Sequence, residues 1–185
     1  MVESLEILQL PLPRLLEHIE TEVANNPVLE VCSMESCMES KDEIIDVVVQ
    51  LIEGGSYRVL VPDDGLSMLL VNQRFVDFYQ DPTKKPETRE YLGRKIEQAR
   101  QLTDAIRRRR EILKRVAQVV FRRQLGFLEK GPDYLIPLSL QEIVAEAGIS
   151  GSTVKCALRT KRVQTPHGTF ALEDFVIRLP GSSDN

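Results

Sequence analysis

The sequence predicts a mainly α-helical protein, a helical bundle carrying a helix-turn-helix, with a small β-hairpin or three-stranded sheet in its front half. Three observations carry this prediction. Apolar residues recur at helical spacing through residues 12–23 and again over more than forty residues between 87 and 130. The stretch "LQEIVAEAGISGSTVKCALRT" reads as two short helices around a glycine. The stretch "IIDVVVQLIEGGSYRVLV" reads as two β-branched runs around a Gly54-Gly55 turn. Aromatic residues make up 5% of the chain and Trp is absent, so the interior is expected to be Leu, Ile and Val, with no cofactor cradle. At 185 residues the chain fits one ordinary domain or two small ones, long enough to bury about 70% of its unfolded surface.

The elements follow in order. A short apolar helix or turn near residues 5–10 precedes a helix with Leu12, Leu15, Leu16, Ile19 and Val23 on one stripe. Pro13 suits the first turn of that helix, and Asn25-Asn26-Pro27 stops it. Residues 32–43 have no periodicity and no apolar face, which makes them a linker. After the hairpin, a third strand near residues 68–71 would complete a small sheet, followed by a helix over residues 73–79. Pro82 and Pro86 mark a boundary. From 87 to 130 one very long helix fits the spacing, but a bend near residues 107–110 into an antiparallel pair would bury more apolar surface. Gly131-Pro132 ends the run. The expected organisation is therefore 1–31, a linker at 32–43, 44–130, a helix-turn-helix unit at 131–178, and a tail at 179–185.

Charge divides the chain. Residues 1–86 hold 6 Lys and Arg against 16 Asp and Glu, a net −10, whereas residues 87–185 hold 18 against 12, a net +6. Nucleic acid, if contacted, is expected at the back half. Cys32, Cys37 and Cys156 are odd in number and lack a nearby His, so reduced thiols are expected rather than a zinc site. No basic leader and no apolar run of membrane-spanning length occurs, which places the expected location in the cytoplasm, off the membrane. An enzyme is not expected: His18 and His167 lie in unrelated segments, no paired acid and base appear, and "IEGGSY" is a hairpin turn rather than a phosphate cradle. Neither a metal nor a small-molecule substrate is implied.

In the helix-turn-helix, Leu140, Ile143 and Val144 face inward from the first helix and Gly148 makes the turn. Ser150 or Ser152 caps a second helix that buries Val154, Ala157 and Leu158. Its outward residues are Ser152, Thr153, Lys155, Arg159 and Lys161, with Arg162 in the basic arm "RTKRVQT" beside it, a set suited to base edges and phosphates. Val144 stands where such motifs favour Ala, which predicts splayed helices at about 1–3 kcal/mol unless something compensates.

The run "RREILKRVAQVVFRRQLGFLEKGPDYLIPLSLQEIVAEAGISGSTVKCALRTKRVQTPHGTFALEDF" resembles the core-binding and helix-turn-helix regions of bacterial sigma-54 RNA polymerase factors. Its most specific parts are "GPDYLIPLSL", "STV" and "VQTPHGTF". The N-terminal "LEILQLPLPRLLEHIETEVANNPVLE" resembles that family's activator-interacting region, a Leu-rich helix ending in Asn-Pro and two apolar residues, here Asn26, Pro27, Val28 and Leu29. The resemblance implies a non-catalytic initiation factor with three partners: core RNA polymerase, promoter DNA, and an AAA+ activator that remodels the N-terminal region. It implies an activator-facing set of Leu8, Leu10, Leu15, Leu16, Ile19 and Leu29. Arg107, Arg108, Arg109, Arg110, Arg122 and Arg123, by default a solvated helix face, become candidates for meeting polymerase or nucleic-acid backbone. Pattern alone would pack the N-terminal stripe on its own domain. Because the linker has too few apolar residues to bring the helix back, the stripe is expected to await a partner.

Three departures bear on function. The family's Gln-rich opening does not precede Leu5, its Arg-rich C-terminal promoter-reading domain is expected to be absent, and Lys155-Cys156 stands where the family tends to have Ser-Arg. Weak promoter binding by this chain alone follows, with each missing bidentate base pairing worth about 1–3 kcal/mol of discrimination. Two alternatives to an initiation factor remain at this point: a truncated competitor of the full-length factor, and a free-standing helix-turn-helix regulator. The regulator would need a dimerisation helix, and none is evident.

Overall fold

A computed structural model of the chain describes residues 4–31, 45–52, 55–62 and 69–177. Two helices open it, α1 (Ser4–Gln9) and α2 (Leu12–Asn25), the second with proline in its first turn. Asn26 then turns the chain. Its side-chain oxygen accepts from the Val28 amide at 3.1 Å and its side-chain nitrogen donates to the Lys95 carbonyl at 2.9 Å. Short strand β1 (Leu29–Val31) follows, then the hairpin β2 (Val47–Ile52) and β3 (Ser56–Leu60), and then β4 (Leu69–Val71). Helix α3 (Gln73–Gln80) starts at an Asn72 cap that accepts from the Arg74 amide. The remaining elements are α4 (Pro86–Arg122), α5 (Leu125–Lys130), β5 (Leu138–Ser139), α6 (Leu140–Ala147), α7 (Gly151–Leu158), the hairpin β6 (Arg162–Thr165) and β7 (Gly168–Ala171), and β8 (Val176–Ile177). Helix dominates, as the sequence predicts. Among the described residues no helix is long and apolar enough to cross a membrane.

The run from 87 to 130 does not fold back at residues 107–110. Helix α4 is continuous for 37 residues, about 55 Å at 1.5 Å per residue, and the chain turns only at Arg123-Gln124. The physical reason is that both halves of its apolar face already have partners. The front half, through Leu92, Ile96, Ala99 and Leu102, packs on Ile7, Leu15, Ile19, Val28 and Leu29. The back half, through Leu113, Val116, Val120 and Phe121, packs on Leu8, the hairpin valines and the helix-turn-helix. Packing therefore crosses the expected sequence divisions: α1 contributes Ile7 to one core and Leu8 to the other.

Strand pairing also departs from expectation. Strand β4 forms where the third strand is expected, but it pairs with β1, Leu29 opposite Val71, and not with the hairpin. The hairpin is instead extended across the chain into a four-stranded sheet ordered β3-β2-β6-β7, with β2 and β6 parallel. Val47 pairs with Val163, both fully buried, so the hairpin covers its inner face with the region after the helix-turn-helix. The turn at Gly54-Gly55 is partly outside the described residues. Gly55 has φ +76°, the left-handed value a hairpin turn requires. The linker 32–43, with Cys32 and Cys37, and the tail 179–185 lie outside the described residues.

The back core is organised by four phenylalanines. Phe127 has the rings of Phe170 and Phe175 edge-on at 5.4 and 5.1 Å, and Phe121 meets Phe175 at 4.9 Å. Phe127→Ala should therefore lower stability by about 3–5 kcal/mol in urea unfolding. An unchanged midpoint would contradict this placement of the core's centre.

Candidate nucleic-acid and partner interface at the helix-turn-helix

The first helix of the motif starts at a capping box: the Ser139 hydroxyl accepts from the Glu142 amide, and the Glu142 carboxylate accepts from the Ser139 amide at 2.8 Å. The Ser139 hydroxyl, which lies 2.7 Å from the same carboxylate, and the Ser139 amide hold the Glu142 carboxyl below its ordinary range. Gly148 closes α6 at φ +62°, so a side chain there would be strained. Ser150 caps α7, accepting from the Thr153 amide and sharing a 2.7 Å bond with the Thr153 hydroxyl. Ile143, Ala147, Val154, Ala157 and Leu158 are buried between the helices. Val144 does not splay them. A Cβ placed on Gly151 would stand 3.8 Å from Val144 Cγ2, ordinary contact, so the larger residue is accommodated.

Of the expected DNA-facing residues, Ser152, Lys155, Arg159 and Arg162 are exposed and Thr153 is half-buried beside the cap. Lys161 is a correction: it is 1% exposed and points into the protein. Thr160, at φ +58°, is a β-branched residue in a conformation such residues rarely adopt, and it is the point where the chain turns Lys161 inward. The "basic arm" is thus strand β6, whose alternation buries Val163 and Thr165 and exposes Arg162 and Gln164.

Lys161 points at the end of α1. A helix leaves its last four carbonyls without intrahelical partners, and its C-terminus favours cations. Here Arg109 Nη1 donates to the Ile7, Leu8 and Leu10 carbonyls at 3.1, 3.0 and 2.9 Å. Lys161 Nζ donates to the Leu10 carbonyl at 2.8 Å, and the Thr160 hydroxyl and Lys161 both reach the Gln9 carbonyl at 3.4 Å. Asp46 supplies the counter-charge. Its carboxylate accepts from Arg109 Nη2 at 3.0 Å and from the Arg162 amide at 3.1 Å, and its own amide donates to the Arg162 carbonyl. Burial pushes the Asp46 carboxyl up, against the opposing pull of Lys161, the Arg162 amide and Arg109. Burial, with Arg109 beside it, lowers the Lys161 ammonium to about 8, against the pull of Asp46. Finally, Gln9 donates to Cys156 Sγ at 3.1 Å, so α1 rests on α7 as well as on α4.

Arg109 is therefore a second correction. It is 4% exposed and tied inside the fold, whereas Arg107, Arg108, Arg110, Arg122 and Arg123 are exposed. A third concerns the activator-facing stripe. Leu8, Leu15, Ile19 and Leu29 are buried and Leu10 and Leu16 half-buried, so the stripe is seated on its own chain rather than left open. The reason is polar, which the apolar pattern could not reveal: Arg109, Lys161 and the Asn26–Lys95 bonds hold the segment regardless of the linker's composition. Asp46 and Lys95 escape the sequence reading. A carboxylate inside the apolar run Ile44–Val49 is the signal for Asp46, and Lys95 has none.

Two outcomes test the junction. Arg109→Met, which leaves Asp46 buried without its partner, should cost about 3–5 kcal/mol in chemical denaturation. Little change would mean the pair is not closed in solution. The second outcome is a pH dependence. Lys161 has an ordinary value of 10.5 unfolded and about 8 folded, so between those pH values the unfolded chain holds the extra proton and stability rises with pH. Stability relative to Lys161→Met should therefore increase from pH 8 toward pH 10. A flat difference would contradict the buried ammonium.

Known proteins resemble the chain at both ends. The family described as "Sigma-54, DNA binding domain" matches residues 89–184, and "Sigma-54 factor, Activator interacting domain (AID)" matches residues 1–31. An RNA polymerase sigma-54 factor of Rhodobacter capsulatus is 36% identical over 105 residues, 57% of this chain and 24% of that protein. One from Sinorhizobium fredii is 31% identical over 143 residues, 77% of this chain and 28% of that protein. The matched stretches thus span about a quarter of these relatives. Among solved structures, the "Crystal structure of Aquifex aeolicus sigmaN bound to promoter DNA" aligns with a TM-score of 0.55 and 25% identity, covering 75% of this chain and 41% of that one. With both matches in chain order, and the first exceeding half the sequence, the chain belongs to the sigma-54 family.

Proposed function

We propose that this protein is a non-catalytic sigma-54-like initiation factor that binds core RNA polymerase, contacts promoter DNA weakly through α7, and holds its N-terminal region as the element an AAA+ activator acts on. The observation that carries the reading is the junction at Asp46, Arg109 and Lys161. It joins the N-terminal segment, the long helix and the recognition unit in one buried cluster, so displacing α1 necessarily disturbs the seat of α7. Ser152, Lys155 and Arg159 are the base- and phosphate-facing set, with Thr153 and Arg162 at its edges. Arg107, Arg108, Arg110, Arg122 and Arg123 are the exposed arginines available to polymerase surface or nucleic-acid backbone. In the docked state Leu8, Leu15, Ile19 and Leu29 are buried, and half-buried Leu10 borders an open groove on α1–α2 whose polar lining includes Glu6, Arg14, Glu17 and His18. Engagement of the buried members then requires both α1 and α2 to leave their seat on α4.

Cys156 favours a second reading. With Gln9 bonded to it, that position on α7 serves the intramolecular contact and offers no guanidinium to DNA. A factor that holds polymerase while reading DNA poorly would compete with a full-length factor.

The test is fluorescence anisotropy of the labelled chain with bacterial core RNA polymerase. Saturable binding displaced by a full-length sigma-54 factor is the expected result, and transcription with the activator then separates initiation factor from competitor. Binding to duplex DNA without binding to polymerase would contradict the proposal and favour a free-standing regulator.

A further inference from the structure

Successive residues of a helix are rotated by about 100°, so positions seven or eight apart share a face. On α4 this places Arg100, Arg107, Arg108, Lys114, Arg115 and Arg122 on the side opposite Leu102, Leu113, Val116 and Val120, and all six are exposed. Over residues 97–122 the acidic residues on that side are Glu97, Asp104 and Glu111. Asp104 is taken up by Arg107 at 3.1 Å, and Arg122 shares Glu146 with Arg123. Among the described residues Arg100, Arg108, Lys114 and Arg115 have no ion pair. The stripe runs directly to the motif: a Cβ on Gly148, the turn between α6 and α7, would stand 3.5 Å from Arg115 Nη2.

We infer that this stripe is a phosphate-binding surface that continues the helix-turn-helix contact along duplex DNA, an inference that rests on the DNA-contacting role proposed above. Two features favour a nucleic acid over a protein partner. Between Tyr91 and Leu125 the described part of α4 exposes no large apolar side chain, and a protein interface needs an apolar centre that this face lacks. Its cations are instead spread over 22 residues, about 33 Å, close to one turn of duplex. Such contacts position the protein without reading sequence, and they neutralise phosphates that α7 does not reach.

The test is the salt dependence of binding of the full chain to promoter duplex and to a scrambled duplex, for wild type and for Arg100→Gln/Lys114→Gln/Arg115→Gln. Removing one phosphate-neutralising side chain should reduce the slope of log K against log salt by about 0.9, so the triple variant should be shallower by roughly 2–3. Its affinity should fall by the same factor on both duplexes, with an unchanged thermal midpoint because all three side chains are exposed. Lys114→Gln alone should reduce the slope by about 0.9, and Arg100→Lys/Arg115→Lys should retain it. Wild-type binding with an unchanged slope in the triple variant would overturn the stripe and leave the role of α7 intact. An unchanged DNA slope together with abolished binding to core polymerase would also overturn it, by assigning the face to protein. No duplex binding by wild type would overturn both the stripe and the DNA-contacting role of α7.

Discussion

A six-residue helix does not persist in water, because the nucleation penalty outweighs so few internal hydrogen bonds. Helix α1 persists because its C-terminal carbonyls are capped by the Arg109 guanidinium and the Lys161 ammonium, two cations that Asp46 makes tolerable in a buried setting. The rest of the architecture depends on this arrangement. It fixes where the N-terminal segment meets α4, and it explains the unfavourable backbone of Thr160. It also joins β2 to β6 through the reciprocal bonds between Asp46 and Arg162. Replacing the trio with apolar residues would remove the directional bonds from Arg109 and Lys161 to the end of α1, leaving there the Gln9 contact with Cys156 and the Thr160 hydroxyl.

Helix α4 turns that local cluster into a long-range connection. One rigid element carries the front core on one half and the back core on the other, with Arg109 buried near the crossing point. Its opposite face stays wet and basic. The acidic front half and basic back half seen in composition are therefore not two separate bodies, because the front elements pack onto the same helix that bears the basic stripe. This geometry relates an N-terminal segment to a recognition helix about 150 residues later in sequence.

Much of the fold is legible in the chain because period and punctuation are local. The capping serine and Gly148 announce the helix-turn-helix, Asn26-Pro27 announces the end of α2, and the β-branched runs announce the hairpin. What the sequence does not reveal is non-local and polar. Lys161 and Arg109 look like their exposed neighbours, since nothing in "RTKRV" or "RRRR" distinguishes the one side chain that turns inward. The partner of β4 is equally hidden. Leu69–Val71 is a plausible strand anywhere, and only the exit of the chain from Asn26 brings β1 to it. The leucine stripe is legible as apolar but not as covered, because linker composition says nothing about ion pairs at the destination.

The most direct measurement of the central claim is residue-resolved amide hydrogen exchange under native conditions, for wild type and Asp46→Asn. In wild type the Leu10 amide, bonded to the Glu6 carbonyl, should be protected to nearly the same free energy as amides in the middle of α4. In Asp46→Asn that protection should fall selectively, while the amides of α6 and of the Leu113–Phe121 stretch remain slow. A Leu10 amide that exchanges freely in wild type, or one indifferent to the substitution, would contradict the account that a buried charge cluster seats the N-terminal helix.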